Sequence, residues 1–288
     1  MADRQATGGS TSRCARAAAW VALAVLLVGC STVGEDLASF GDSLVPLSAK
    51  QAARLMVDPH DPENRRLGTV AIANSPFGGS DAYLALYRDR AGHEPDPLVK
   101  AISISALGRH GAPKDAPLIA KALTDSQFQV RWEASKALQR IHNPAVVPDL
   151  LRALRKDDES PDTRLAAATA LGQYPQDRVF QGLIAALDAP ELAVNIAAHR
   201  SLTILTGQDW GLDSRPWHAW YNATAEPFAG QQEYLYPTYT RPETWLEKLA
   251  FWSGRNFEKP GTPVGLGSSS RRTTYQVEEE ASADETGG

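Results

Sequence analysis

Through the middle of the chain, apolar residues recur three and four positions apart, in runs separated by proline or glycine. The run from Gln129 carries Val130, Ala134, Ala137, Leu138 and Ile141, the i, i+4, i+7, i+8, i+11 stripe of one helix face. His142-Asn143-Pro144 interrupts it, and proline suits the first turn of a following helix. Val147, Leu150, Leu151 and Leu154 then make the stripe of that second helix. The pattern returns further on. Ala167, Ala170 and Leu171 lead to a break at Tyr174-Pro175, followed by Phe180, Leu183, Ile184 and Leu187. The order predicts pairs of antiparallel helices, and no pair of this size buries its own apolar face.

The pairs repeat. LVKAISISALGRHG from Leu98, QVRWEASKALQRIH from Gln129, DTRLAAATALGQYP from Asp162 and AVNIAAHRSLTILT from Ala193 align without gaps. Lys100, Arg131, Arg164 and Asn195 keep intervals of 31, 33 and 31, as do Leu107, Leu138, Leu171 and Leu202. Leu123, Leu154 and Leu187 follow at 31 and 33. Upstream, residues 62–74 and 80–91 read as one more, diverged pair, with 49–57 as a leading helix. That gives about four and a half pairs, above the roughly three that a free-standing solenoid needs. The fold class expected is all-α, a short α-solenoid over residues 48–207.

This repetition resembles HEAT repeats, especially the short HEAT-like units also found in phycobilin lyases. Members of that family carry an Asp before the first helix of a unit and an Arg six residues later. Asp125 with Arg131, and Asp158 with Arg164, match that spacing. Glu94 with Lys100 is a conservative version, and Ala189 with Asn195 has lost it, as suits a terminal repeat. The resemblance implies that these side chains form a hydrogen-bonded ladder along the stack. It also implies that second helices line a concave side. Their polar positions are Lys114, Lys121, Asp149, Arg152, Arg155, Asp177 and Gln181. Lys114, Lys121, Arg152 and Arg155 are the candidate contacts for an anionic partner, although ordinary solvated helix faces account for the mixture about as well.

The N-terminus reads as an address. Residues 1–16 are polar with Arg4, Arg13 and Arg16, and residues 17–28 are continuously apolar. That run is shorter than the roughly 20 residues of a membrane-crossing helix. It ends in Leu27-Val28-Gly29-Cys30, which resembles the lipobox of bacterial lipoprotein precursors. The resemblance implies removal of residues 1–29 and acylation of Cys30, with residues 30–47 as a lipidated tether. Multiple acyl chains hold a protein at a bilayer where one chain does not. Ser31, in place of the Asp of many inner-membrane lipoproteins, favours the periplasmic side of an outer membrane where the organism has one.

From residue 208 the composition turns aromatic, with QDWGLDSRPWHAWY at 208–221 and further rings to Phe257. Residues 208–260 read as a cap over the open end of the stack. In that reading Trp217, Trp220 and Tyr221 are buried against residues such as Leu202 and Leu205. The other reading makes Trp217 and Trp220 part of an exposed docking patch. Residues 241–253 fit an amphipathic helix packed back on the stack. Residues 261–288 are poor in apolar side chains and end acidic, which predicts disorder.

The net charge is −5. Removing residues 1–29, with three arginines and Asp3, leaves −7 from Cys30 onward. That balance argues against a nucleic-acid binder. Cys14 and Cys30 are the two cysteines, so a mature chain beginning at Cys30 forms no internal disulfide. The six histidines are scattered without an H-E-x-x-H pair, and there is no G-x-S-x-G or phosphate loop. His93-Glu94 resembles one of the His-Glu pairs of HEAT-repeat metal hydroxylases, which need several. The reading is therefore a non-catalytic interaction or scaffolding lipoprotein of the cell envelope. It needs no cofactor, and its partners are a membrane, through lipid, and an envelope protein. The alternative is an enzyme or chromophore-lyase-like accessory factor.

Overall fold

A computed structural model describes residues 47–239 and 259–267. All of them fall in one of the chain's two units, Leu47–Lys248 with Gly254–Gly288. Cys30, expected as the lipidation site, most of the expected tether, the expected helix at 241–253 and the acidic stretch from 268 lie outside the described residues.

The described fold is an all-α solenoid. A leading helix, α1 (Ala49–Met56), precedes five pairs. The first helices are α2 (Pro62–Ala73), α4 (Pro97–His110), α6 (Phe128–Ala137), α8 (Pro161–Leu171) and α10 (Leu192–Thr206). The second helices are α3 (Asp81–His93), α5 (Ala116–Lys121), α7 (Val147–Arg155), α9 (Asp177–Leu187) and α11 (Ser214–Ala223). Each first helix packs on the first helix of the next pair, and second helices stack alongside one another. The recurrent leucines Leu107, Leu138, Leu171 and Leu202 are all fully buried. Burial of a leucine is worth about 1.5–3 kcal/mol. Small residues set the spacing of the first helices. A methyl on Gly108 would lie 2.7 Å from both Cα and Cβ of Ala137, so α4 and α6 meet almost backbone to backbone.

Local chemistry explains where helices begin. Asp96 caps α4 by accepting from the Leu98 and Val99 amides, with Pro97 in the first turn. Pro113 and Pro144 open short 3-10 turns (Pro113–Asp115 and Pro144–Val146) that lead directly into α5 and α7. The second prolines, Pro117 and Pro148, then occupy first-turn positions where no amide is needed.

Between pairs runs a ladder of ion pairs, and one expected member, Asp158, gives way to its neighbour. Arg65 Nη2 donates to Glu94 Oε1 at 2.8 Å, Lys100 Nζ to Asp125 at 2.8 Å and Arg164 Nη1 to Glu191 at 2.8 Å. Arg131 Nε lies 2.9 and 2.8 Å from the two carboxylate oxygens of Glu159. Each cation reaches forward to the acid of the following pair, so the contacts run along the stack as the resemblance implied. Asp158 is corrected by this geometry. Its side chain is 82% exposed, while its neighbour Glu159 has a fully buried side chain and is the acid in the ladder. Asp125 meets Arg131 only through its backbone carbonyl, at 2.8 Å. Asn195 ends the series. Its amide donates to the carbonyls of Ala186, Leu187 and Ala189, capping α9 without reaching forward.

Two further differences concern the C-terminal part. The aromatic stretch opens with α11, which stands where the fifth second helix belongs. The chain then doubles back. Gln232 donates to the Ile204 carbonyl at 2.8 Å, and Tyr236 to Gly261 at 2.9 Å. Val264 lies against the turn after α6, giving its amide to Arg140 and receiving that of His142, each at 2.8 Å. Residues 261–267 are therefore seated on the repeats, contrary to the disorder expected from composition. Gly265 makes the seat fit, with φ at +88° and a bare α-carbon against Pro113 and the His142 carbonyl.

Candidate interaction groove

The second helices leave one face uncovered, and two adjoining grooves run along it. Between α5 and α7 lies a space of about 390 Å³ lined by Pro117, Ala120, Lys121, Thr124, Ala145, Val146, Asp149 and Arg152. Between α7 and α9 lies a larger one of about 580 Å³, lined by Pro148, Leu151, Arg152, Arg155, Lys156 and Arg178. Arg152 borders both. The floors are apolar and the rims are cationic.

Helical spacing creates that rim. Asp149, Arg152 and Arg155 stand at i, i+3 and i+6 on α7, so they share one face. Gly182 on α9 keeps the floor low. A side chain there would meet Leu151 Cδ2 at 2.5 Å and Arg155 Nη2 at 3.4 Å. Without one, Leu151 and Arg155 lie across α9 unobstructed.

The charges on the rim are unevenly matched. Arg152 holds Asp149 at 2.7 Å, and Lys156 stands 3.5 Å from both Asp158 and Glu159. Arg178 donates to the neutral Gln176 side chain at 2.8 Å. Among the described residues, no carboxylate pairs with Lys121, Arg155 or Arg178. Asp177, the nearest acid in sequence to Arg178, is engaged by the Tyr221 hydroxyl at 2.5 Å. That bond, with some burial, pushes the Tyr221 pKa up to about 12.

The groove gathers Lys121, Arg152 and Arg155 from the sequence candidates. Lys114 stays exposed on its 3-10 turn and lines neither space. Lys156 and Arg178 were not among the candidates. The signal that finds Arg178 is register: it follows the start of α9 by one position, as Pro148 follows that of α7.

Trp217 departs from the docking-patch expectation. It is 0% exposed, donates to the Gly211 carbonyl at 2.9 Å and meets Phe180 edge-on at 6.4 Å. Tyr221 stacks on the same Phe180 at 4.3 Å, with Trp220 and Phe228 beside it. Leu202 and Leu205 belong to the same buried cluster. Trp220 is half-buried there and lines neither groove. The rings enclose Phe180 and close the end of the stack.

His93 and Glu94 diverge. Glu94 is taken by Arg65 and lies 3.8 Å from Arg90, while His93 is 82% exposed and contacts Asp89 at 3.1 Å. Adjacent in sequence, they point to different surroundings. Among the described residues no helix is long and apolar enough to cross a membrane.

Comparison with known proteins agrees with this architecture. Residues 84–161 match the family model for HEAT repeats, and residues 163–189 match that for the PBS lyase HEAT-like repeat. No curated protein matches the chain. Among solved structures, the YibA protein of Escherichia coli is similar over 54% of this chain and 59% of its own, at 20% identity and a TM-score of 0.46. Human deoxyhypusine hydroxylase in complex with glycerol is similar over 53% of this chain and 71% of its own, at 20% identity and a TM-score of 0.38. The chain thus spans less than two thirds of the first of these relatives.

Proposed function

We propose that this chain is a membrane-anchored, non-catalytic interaction or scaffolding lipoprotein of the cell envelope. Lipid on Cys30 holds it at the bilayer, and the second-helix face receives another envelope protein. The observation that carries the reading is the double groove shared at Arg152, an apolar-floored surface that the stack leaves open. Solenoids use such faces because each repeat contributes one strip of an extended surface. The Leu27-Val28-Gly29-Cys30 motif supports the anchor, and Ser31 supports an outer-membrane address.

A photo-crosslinking side chain placed at Arg155 in intact cells tests this. The expected result is a discrete protein adduct from position 155 and none from Leu192, an exposed residue of α10. Adducts that are identical from both positions would refute a specific groove. So would a small chromophore or metal that copurifies with the protein and is lost from groove variants, which would favour the accessory-enzyme reading.

A further inference from the structure

The geometry points to an extended acidic peptide segment of a partner protein as the occupant of the groove between α7 and α9. This inference rests on reading that face as an interaction surface and adds the chemistry of what it recognises.

Charge complementarity is the first argument. Arg155 and Arg178 approach one groove from opposite helices, with Arg152 and Lys156, both already beside acids, flanking them. The chain as a whole carries −5, so this local excess of cations runs against its own composition. Guanidinium groups with no carboxylate partner are arranged to take carboxylates or phosphates, where their planar donors bind in a fork. Two nearby acids are already committed, Asp149 to Arg152 and Asp177 to Tyr221.

The floor chooses among anionic partners. It consists of Pro148 and Leu151, continued past Arg152 by Pro117, Ala120 and Val146. Single-stranded nucleic acid binds where aromatic rings stack its bases, and no ring lines either groove. A bilayer surface is broad, whereas Arg155 and Arg178 converge from two helices on one narrow strip. An extended peptide satisfies both parts. Its side chains alternate, so carboxylates on one side reach the arginines while apolar side chains on the other lie over Pro148, the exposed apolar residue of the lining.

The test uses the purified full chain and a fluorescein-labelled 12-residue peptide of alternating Glu and Leu, read by anisotropy. Binding is expected, weakening with salt. Arg155→Gln and Arg178→Gln should each lower affinity about tenfold, as the loss of a charge-assisted hydrogen bond does. Lys114→Gln should leave it unchanged. Peptide affinity indifferent to the Arg155→Gln, Arg178→Gln double variant would overturn the proposal. So would tighter, groove-dependent binding to phosphatidylglycerol vesicles or to an oligonucleotide. Binding that appears only after Glu278, Glu279 and Glu280 are changed to Gln would assign the groove to the chain's own acidic stretch and overturn it as well. A groove that crosslinks to an envelope protein yet ignores the peptide would retire the acidic chemistry while the interaction reading stands.

Discussion

Arg131 holds both carboxylate oxygens of Glu159 across the boundary between two repeats, 28 positions apart in sequence. The Glu159 side chain is wholly buried, so removing either partner strands a charge. Glu159→Ala should cost about 3–5 kcal/mol. Asp158→Ala, one residue away and largely exposed, should cost about 0.5 kcal/mol or less. Urea unfolding of the two variants checks the contrast, and equal costs would contradict the ladder described above.

The same acids predict acid lability. Burial opposes ionisation of Glu159, but hydrogen bonds from Arg131 and the Ser160 amide, with Arg131's charge, outweigh it and hold the pKa below the ordinary value. Asp115, bound by Arg88, and Asp125, bound by Lys100, are lowered in the same way against their burial. A carboxylate whose pKa is depressed on folding contributes stability above its unfolded pKa, about 4, and loses it as pH falls through the folded value. The melting temperature should therefore decline gently below about pH 6.5, where burial keeps His142 uncharged in the folded state, and drop steeply below about pH 4. Arg131→Met should make that drop shallower. A profile flat to pH 3 would remove these acids from the stability argument.

Trp217 seals the last pair against Phe180. Trp217→Ala should cost about 3–5 kcal/mol. At roughly 2–4 °C per kcal/mol this lowers the melting temperature by about 6–20 °C. Crosslinking from position 155 should decline only to the extent that folding does. A Trp217→Ala protein with an unchanged melting temperature would show that the ring is not a seal.

Much of this was legible in the sequence, and the losses have physical causes. The stripes Val130–Ala134–Ala137–Leu138 and Val147–Leu150–Leu151–Leu154 are buried as their periodicity implies, because helix faces are set by local spacing. The ladder acid was placed one residue too early. Asp158 and Glu159 are both acidic, and only the crossing of neighbouring pairs decides which faces Arg131. The seat of residues 261–267 was missed because backbone pairing to a turn leaves no trace in composition. Of the groove, α7's own cations were readable by spacing, whereas Arg178 joins them through packing of α9 on α7.

The anchor gives a separate prediction. Cys30→Ala should abolish incorporation of labelled fatty acid and release the folded repeats from the membrane fraction, or leave an uncleaved precursor. Undiminished lipid labelling of that variant would rule out the assignment.

The returning segment changes what kind of object the stack is. A row of helix pairs that touch only their neighbours behaves as a one-dimensional chain of local equilibria, and its ends fray first. Here the Tyr239 hydroxyl sits 2.8 Å from Nε2 of Gln139, which lies in the turn that ends α6, 100 positions upstream. Val264 ties the same region to a later stretch of chain. Chain that follows α11 in sequence is thus fastened to the middle of the row, so opening α10 and α11 also disturbs α6. Amides of α10 should therefore exchange with solvent at nearly the rate of those in α6, with no gradient toward the C-terminal end. The same fastening ranks the protein among slower-folding helical domains, since contacts so distant in sequence form late.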